Sequence, residues 1–201
     1  MKQKEQAPDD RKNHRTETMR LAQNSSQLLI IDPQTRLVPA IKSPHDYLQR
    51  ILQLVKISGA LNIPTWATEH CADKIGPLCP EVSTFLEPGQ ILSKRTFGAL
   101  DEPHISERLT ETERNQFVIC GVEAHVCVMQ TALGLLRAGC EVFLAADACG
   151  SRFPEDRELA FRRLEQAGAV LTSVESVAFE WIGSGDHPAF RSILSLLKER
   201  G

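Results

Sequence analysis

The run Phe117-Val118-Ile119-Cys120-Gly121-Val122-Glu123-Ala124-His125-Val126-Cys127 decides the fold. Its first four residues form an apolar strand. After Cys127, residues Val128 to Arg137 place apolar side chains at helical spacing, and Gly139 ends that helix. A strand that turns sharply at a glycine and runs into a helix puts Cys127 at the carboxyl end of the strand, in the first helical turn. Unpaired backbone N–H groups point outward there, and the helix dipole favours negative charge. A cysteine so placed is expected to have a lowered pKa and a larger thiolate fraction.

The same alternation continues in both directions. Leu28 to Ile31 reads as a short buried strand ended by Asp32-Pro33. Tyr47 to Leu61 has helical apolar spacing behind the entry signal Ser43-Pro44. Strands follow at Pro64 to Thr68 and Ile91 to Lys94, and Pro103 to Thr112 includes a short helix. After the Cys127 helix come a strand at Glu141 to Ala146, a helix at Glu155 to Ala167 ended by Gly168, a strand at Ala169 to Ser173 and a last helix at Pro188 to Lys198. Continuous apolar strands between amphipathic helices imply a parallel sheet covered on both faces. The expected fold is therefore a three-layer α/β sandwich: a mainly parallel, Rossmann-like sheet of about six strands with helices on both sides. Residues 1–24 are polar and without apolar periodicity. They read as an arm, flexible or docked on a neighbouring subunit, ahead of one domain at 25–201.

At 201 residues the chain suits one well-cored domain, and 42% hydrophobic with 24% charged residues is the composition of a globular protein. A net charge of −3 gives no reason to expect a nucleic-acid partner. No apolar run approaches the roughly 20 residues of a membrane span, and the charged N-terminus lacks a signal-peptide core. There are six cysteines and no CxxC pair; with no export signal, reduced thiols in the cytoplasm are the expectation, and most of the six read as small hydrophobes.

In doubly wound sheets, ligands bind beyond the carboxyl ends of the strands. Strand one ends in Asp32, strand three in Lys94, and strand four in the turn to Cys127, so a carboxylate, an ammonium and a thiol from three strands would share one cleft. With Asp32-Pro33-Gln34 after an apolar strand, Ser93-Lys94 at a strand end and Gly121 to Cys127 in that order, the chain resembles the isochorismatase-like cysteine hydrolases over roughly residues 27–200. The stretch Glu180-Trp181 to His187-Pro188-Ala189-Phe190 looks like its branch of uncharacterised isochorismatase-domain proteins.

The resemblance implies a Cys-Lys-Asp triad: Asp32 as general base and acid, Lys94 as electrostatic partner, Cys127 as nucleophile. It also implies a cis peptide between Val122 and Glu123, and an oxyanion hole formed by the backbone N–H groups of Glu123 and Cys127. The reaction it suggests is hydrolysis of a small carboxamide or related C–N bond through a thioester, with no cofactor. Vinyl-ether cleavage of the isochorismatase type and a catalytically silent interaction module are the alternatives.

Substrate-pocket candidates are Gln34, Leu37, Trp66, His70, Phe97 and His125, each with an ordinary core or rim reading beside it. Some relatives hold a divalent ion through an Asp-x-His motif. That pattern is missing from Trp66-Ala67-Thr68-Glu69-His70, so no metal is expected. Asp147 reads as a turn and cap after strand five, and Arg152 as a partner for loop carbonyls. The apolar residues Val177, Phe179, Trp181 and Ile182 look exposed, and with the resemblance they point to a homo-oligomer.

Overall fold

The computed structural model describes residues 20–199. Among them, strands β1 (Ser26–Ile31), β2 (Thr65–His70), β3 (Ile91–Lys94), β4 (Gln116–Val122), β5 (Glu141–Gly150) and β6 (Val170–Thr172) form one sheet. Every neighbouring pair is parallel, in the spatial order β3-β2-β1-β4-β5-β6. The order reverses between β1 and β4, which opens a crevice at their carboxyl ends. Both strands are buried along their whole length, as a sheet covered on two faces demands.

The helices are α1 (Pro44–Ala60), the short α2 (Ala72–Ile75) and α3 (Pro80–Ser83), α4 (Pro103–Thr110), α5 (Met129–Arg137), α6 (Pro154–Ala167), α7 (Val174–Ile182) and α8 (Phe190–Lys198). Helices α1, α7 and α8 pack together on one face, and α5 and α6 pack together on the other. Glu155 and Asp156 stand in the first turn of α6, where the dipole favours them, and Gly168 closes its far end at φ 104°. The three-layer, doubly wound α/β architecture is the one expected from the sequence.

Gly121 is where strand order and strand approach make their strictest demand. It pairs with Ile31, it has φ 126°, and a Cβ there would collide with the Ile31 backbone. Only glycine fits both the conformation and the gap. This lets the end of β4 lie tight against the end of β1, and so sets Cys127 near Asp32.

Three expectations need correction. First, β5 continues to Gly150, past the expected end at Ala146. Its register with β4 slips between Ile119, opposite Leu144, and Gly121, opposite Cys149. Asp147 therefore lies within the strand; its carboxylate accepts the Val174 N–H at 2.9 Å and faces Arg50 Nε at 3.5 Å.

Second, the stretch read as exposed is helix α7. Val174, Val177, Ala178, Trp181 and Ile182 recur at helical spacing and are buried within the chain itself; Phe179 alone of the four named residues stays open, at 37% exposure.

Third, residues 20–24 belong to the described structure. Leu21 is buried and donates its N–H to Glu180 Oε2 at 2.7 Å, while the Ala22 N–H goes to Gln116 Oε1 at 2.8 Å. The rest of the expected N-terminal arm, residues 1–19, lies outside the described residues. Among those described, no helix is long and apolar enough to cross a membrane.

Candidate active site

Asp32 follows β1 directly, in the left-handed region at φ 50°, a conformation that aspartate tolerates better than most residues. Lys94 is the last residue of β3, and its side chain reaches across the end of β2. Its Nζ lies 2.7 Å from Asp32 Oδ2, with both side chains at 0% exposure. Nζ also donates to the carbonyls of Thr96 and Phe97, each at 3.2 Å. The other carboxylate oxygen, Oδ1, accepts the Thr68 hydroxyl at 2.6 Å. A buried ion pair recovers its desolvation only when further hydrogen bonds support it; here Thr68 supports Oδ1 and two carbonyls support Nζ, while Oδ2 has the ammonium alone as its partner and no hydrogen bond.

Cys127 sits in a π-helical turn, Ala124–Val128, that leads into α5. Such turns widen a helix locally and recur at functional sites. The thiol lies close enough to Asp32 and Lys94 for both to act on it, and the residue is 5% exposed. The expectation of a lowered pKa is overturned. Burial, and then the Asp32 charge, push the thiol up to about 12, against the opposing pull of Lys94. A helix start would favour the thiolate only where water or cations outweigh these terms. At neutral pH this cysteine rests protonated beside Asp32 and Lys94.

The Val122–Glu123 peptide bond is cis. The Glu123 carbonyl accepts the N–H groups of Val126 and Val128 at 3.1 and 3.2 Å, which ties the turn together. Its carboxylate, nearly buried, receives Arg152 Nε at 2.8 Å and the Arg152 N–H at 3.4 Å. Arg152 is thus bonded to a side chain rather than to the loop carbonyls expected for it.

The pocket candidates separate into three groups. His70 and Phe97 come together beside Lys94. Their ring centroids are 5.1 Å apart, and His70 Nδ1 is 3.3 Å from the Thr96 carbonyl. His125 flanks the other side, with Nδ1 3.0 Å from Ser151 Oγ and Nε2 3.8 Å from Asp156.

Gln34 and Leu37 support the loops instead. The Gln34 amide accepts the His70 N–H at 2.8 Å and donates to the carbonyls of His70 and Gly76, while Leu37 packs half-buried on the core. Trp66 does not belong with the site. It lies toward the amino end of β2, its Nε1 donates to Gln27 at 3.1 Å, and Arg108 stacks on its ring at 5.1 Å. Its alternation in the strand matched Thr68, but it sits one pleat repeat further from the carboxyl edge.

Two polar residues escaped the sequence reading. Thr68 is in register with Ile31, so it stands at the carboxyl edge next to Asp32; pairing the two strand ends would have revealed it. Glu102 is the other. Among the described residues, no group of three or more His, Cys, Asp or Glu side chains is placed to hold a metal ion.

A doubly wound parallel sheet thus gathers an acid, an amine and a thiol at its switch point. Residues 26–176 match the Isochorismatase domain family, and the chain belongs to it. Isochorismatase domain-containing protein 2 of Bos taurus is 33% identical over 90% of this chain and 86% of its own length. A MAR1 ribonuclease from Caenorhabditis elegans superposes with a TM-score of 0.84 at 32% identity, over 90% of this chain and 94% of that one. YcaC from Pseudomonas aeruginosa, solved with hexane-2,5-diol and covalent acrylamide, gives 0.84 at 30% identity, over 89% of this chain and 91% of that one. YcaC from Escherichia coli, described as an octameric hydrolase of unknown specificity, gives 0.85 at 27% identity, over 90% and 92%.

Proposed function

We propose that this isochorismatase-family hydrolase cleaves a small carboxamide or related C–N bond, with Cys127 as nucleophile, Asp32 as proton carrier and Lys94 as their electrostatic partner. One observation carries the reading. A thiol that rests protonated lies beside both members of a buried 2.7 Å carboxylate–ammonium pair, whose charges act on it in opposite senses. That is the arrangement in which a proton can leave sulfur as the sulfur attacks.

Asp32 takes the Cys127 proton while sulfur bonds to the carbonyl carbon. The carbonyl electron pair moves onto oxygen, which is received by the N–H groups of Glu123 and Cys127; one such donor is worth about 2.7–4 kcal/mol in a transition state. The C–N bond then breaks, the nitrogen leaves with the proton from Asp32, and a thioester remains. Water gives a proton to Asp32 and adds to the thioester. Collapse releases the carboxylic acid and returns the thiol. Lys94 holds the negative charge shared between carboxylate and sulfur throughout.

The covalent acrylamide in the Pseudomonas YcaC structure supports a reactive nucleophile on this fold. The octameric Escherichia coli YcaC supports a homo-oligomer for this chain too. A screen of small amides read by ammonia release tests the activity. Cys127→Ala is expected to lower kcat by about 10⁴-fold or more on any amide turned over. Undiminished turnover by that variant overturns the nucleophile assignment.

A further inference from the structure

We infer that Glu102 is a positioning residue for the active site: its carboxylate holds the turn at residues 95–97 in the one shape that cradles the Lys94 ammonium. The inference rests on the nucleophile reading above and extends it to a residue outside the triad.

The chain of contacts is continuous. Glu102 Oε1 accepts the Arg95 N–H at 2.8 Å and the Thr96 N–H at 3.0 Å, with Thr96 Oγ1 a further 3.1 Å neighbour. Two N–H donors on one oxygen close the turn directly after β3. With the turn closed, the Thr96 and Phe97 carbonyls both point at Lys94 Nζ, 3.2 Å away in each case. The far side is fixed too: Thr96 Oγ1 donates to the Gly98 carbonyl at 2.8 Å, and the Ala99 N–H is received by buried Thr131 of α5 at 3.0 Å.

The ammonium has little freedom otherwise. Asp32 holds it at 2.7 Å, and the two carbonyls hold it at 3.2 Å each. Opening the turn frees those carbonyls and lets Nζ settle on Asp32 alone. Because the Lys94 charge pulls the Cys127 thiol down against burial, a displaced Nζ leaves less thiolate at any given pH. The two N–H donors also hold the Glu102 carboxyl below its ordinary range, in keeping with a carboxylate that remains charged while it works. This role accounts for an acid at the start of α4 that collects two N–H donors from the loop behind β3.

The test needs no knowledge of the substrate. Acrylamide is the probe: sulfur bonds to its terminal carbon and the thiol proton ends on the neighbouring carbon. The rate of labelling at Cys127 is followed by peptide mapping, with Cys120 and Cys149 as buried controls. In Glu102→Ala, Cys127 labelling is expected to slow about tenfold, as loss of one pKa unit of assistance would give, with the two controls still unlabelled. Glu102→Gln, which keeps an acceptor oxygen in place, restores most of the rate. Glu102→Asp, which keeps the charge and withdraws the oxygen, slows labelling as alanine does and serves if the alanine variant fails to fold.

A wild-type rate in Glu102→Ala or Glu102→Asp overturns the inference. So does faster labelling of Cys127 together with Cys120 and Cys149, which would mean general loosening. Inert Cys127 in the unaltered protein overturns the nucleophile reading itself, and this inference with it.

Discussion

At the level of single residues, the site works by opposition. A thiol buried beside a carboxylate is held up to about 12, and one ammonium limits the rise. Thiolate absorbance therefore offers a direct check. The difference between the protein and its Cys127→Ala variant near 240 nm is expected to show no step at neutral pH; a step between pH 6 and 7 contradicts it. Lys94→Met leaves the Asp32 carboxylate buried without its partner, so it should cost about 3–5 kcal/mol in stability, measured by denaturant unfolding. Asp32, Lys94 and Cys127 were legible because each ends a strand or begins a helix, and such ends are written in apolar runs and breakers. The thiol's pKa was not. Helix position argues for a thiolate, but burial and the distance to Asp32 exist only once β1, β3 and β4 have been brought together. Trp66 failed for a related reason: alternation gives the face of a strand but not the height along it.

Elements are held by a few positions that carry more than their own local preference. Gly121 is one, since the close approach of β4 to β1 leaves no room for a side chain at φ 126°. Gly121→Ala is expected to lose about 2–4 kcal/mol, combining backbone strain with overpacking, and to lower the melting temperature by several degrees. Gln34 is another. Its buried amide joins the loop after β1 to His70 and Gly76, so Gln34→Ala leaves half-buried backbone groups without their partner and should cost about 1–3 kcal/mol in total. Strand order and the alternation of helices were readable from periodicity. Helix α7 was missed because its apolar density suggested a sticky surface, whereas Val174, Val177, Ala178, Trp181 and Ile182 form one helical stripe. The overrun of β5 was also hidden: Asp147 interrupts its apolar run, and only the register slip against β4 absorbs the extra residues.

For the molecule as a whole, the buried thiols shape its response to pH. Burial raises Cys79, Cys120, Cys127, Cys140 and Cys149 above their ordinary value. A thiol raised on folding contributes stability that is complete below the unfolded value of 9.0. It is lost as pH climbs through the folded values, about 12 for Cys127 and Cys149. Melting temperature should therefore fall steadily above pH 9, and Cys149→Ala should lessen the slope; a flat profile from pH 9 to 11 argues against these burials. Assembly is tested by sedimentation at micromolar concentration, where a species larger than the monomer is expected and a monomer refutes the oligomer. The substrate was never legible, because the loops after β1, β2 and β3 set the pocket, and their mutual packing leaves no periodic signal.

The most direct test of the central claim is chemical capture of the intermediate. An amide found by the ammonia screen is mixed with the protein and quenched in acid within the first turnovers, and the Cys127 peptide is weighed. The account predicts an adduct equal to the acyl half of the substrate, present on Cys127 and absent at the other cysteines. Turnover that proceeds with no acyl adduct, and at full rate in Cys127→Ala, contradicts it.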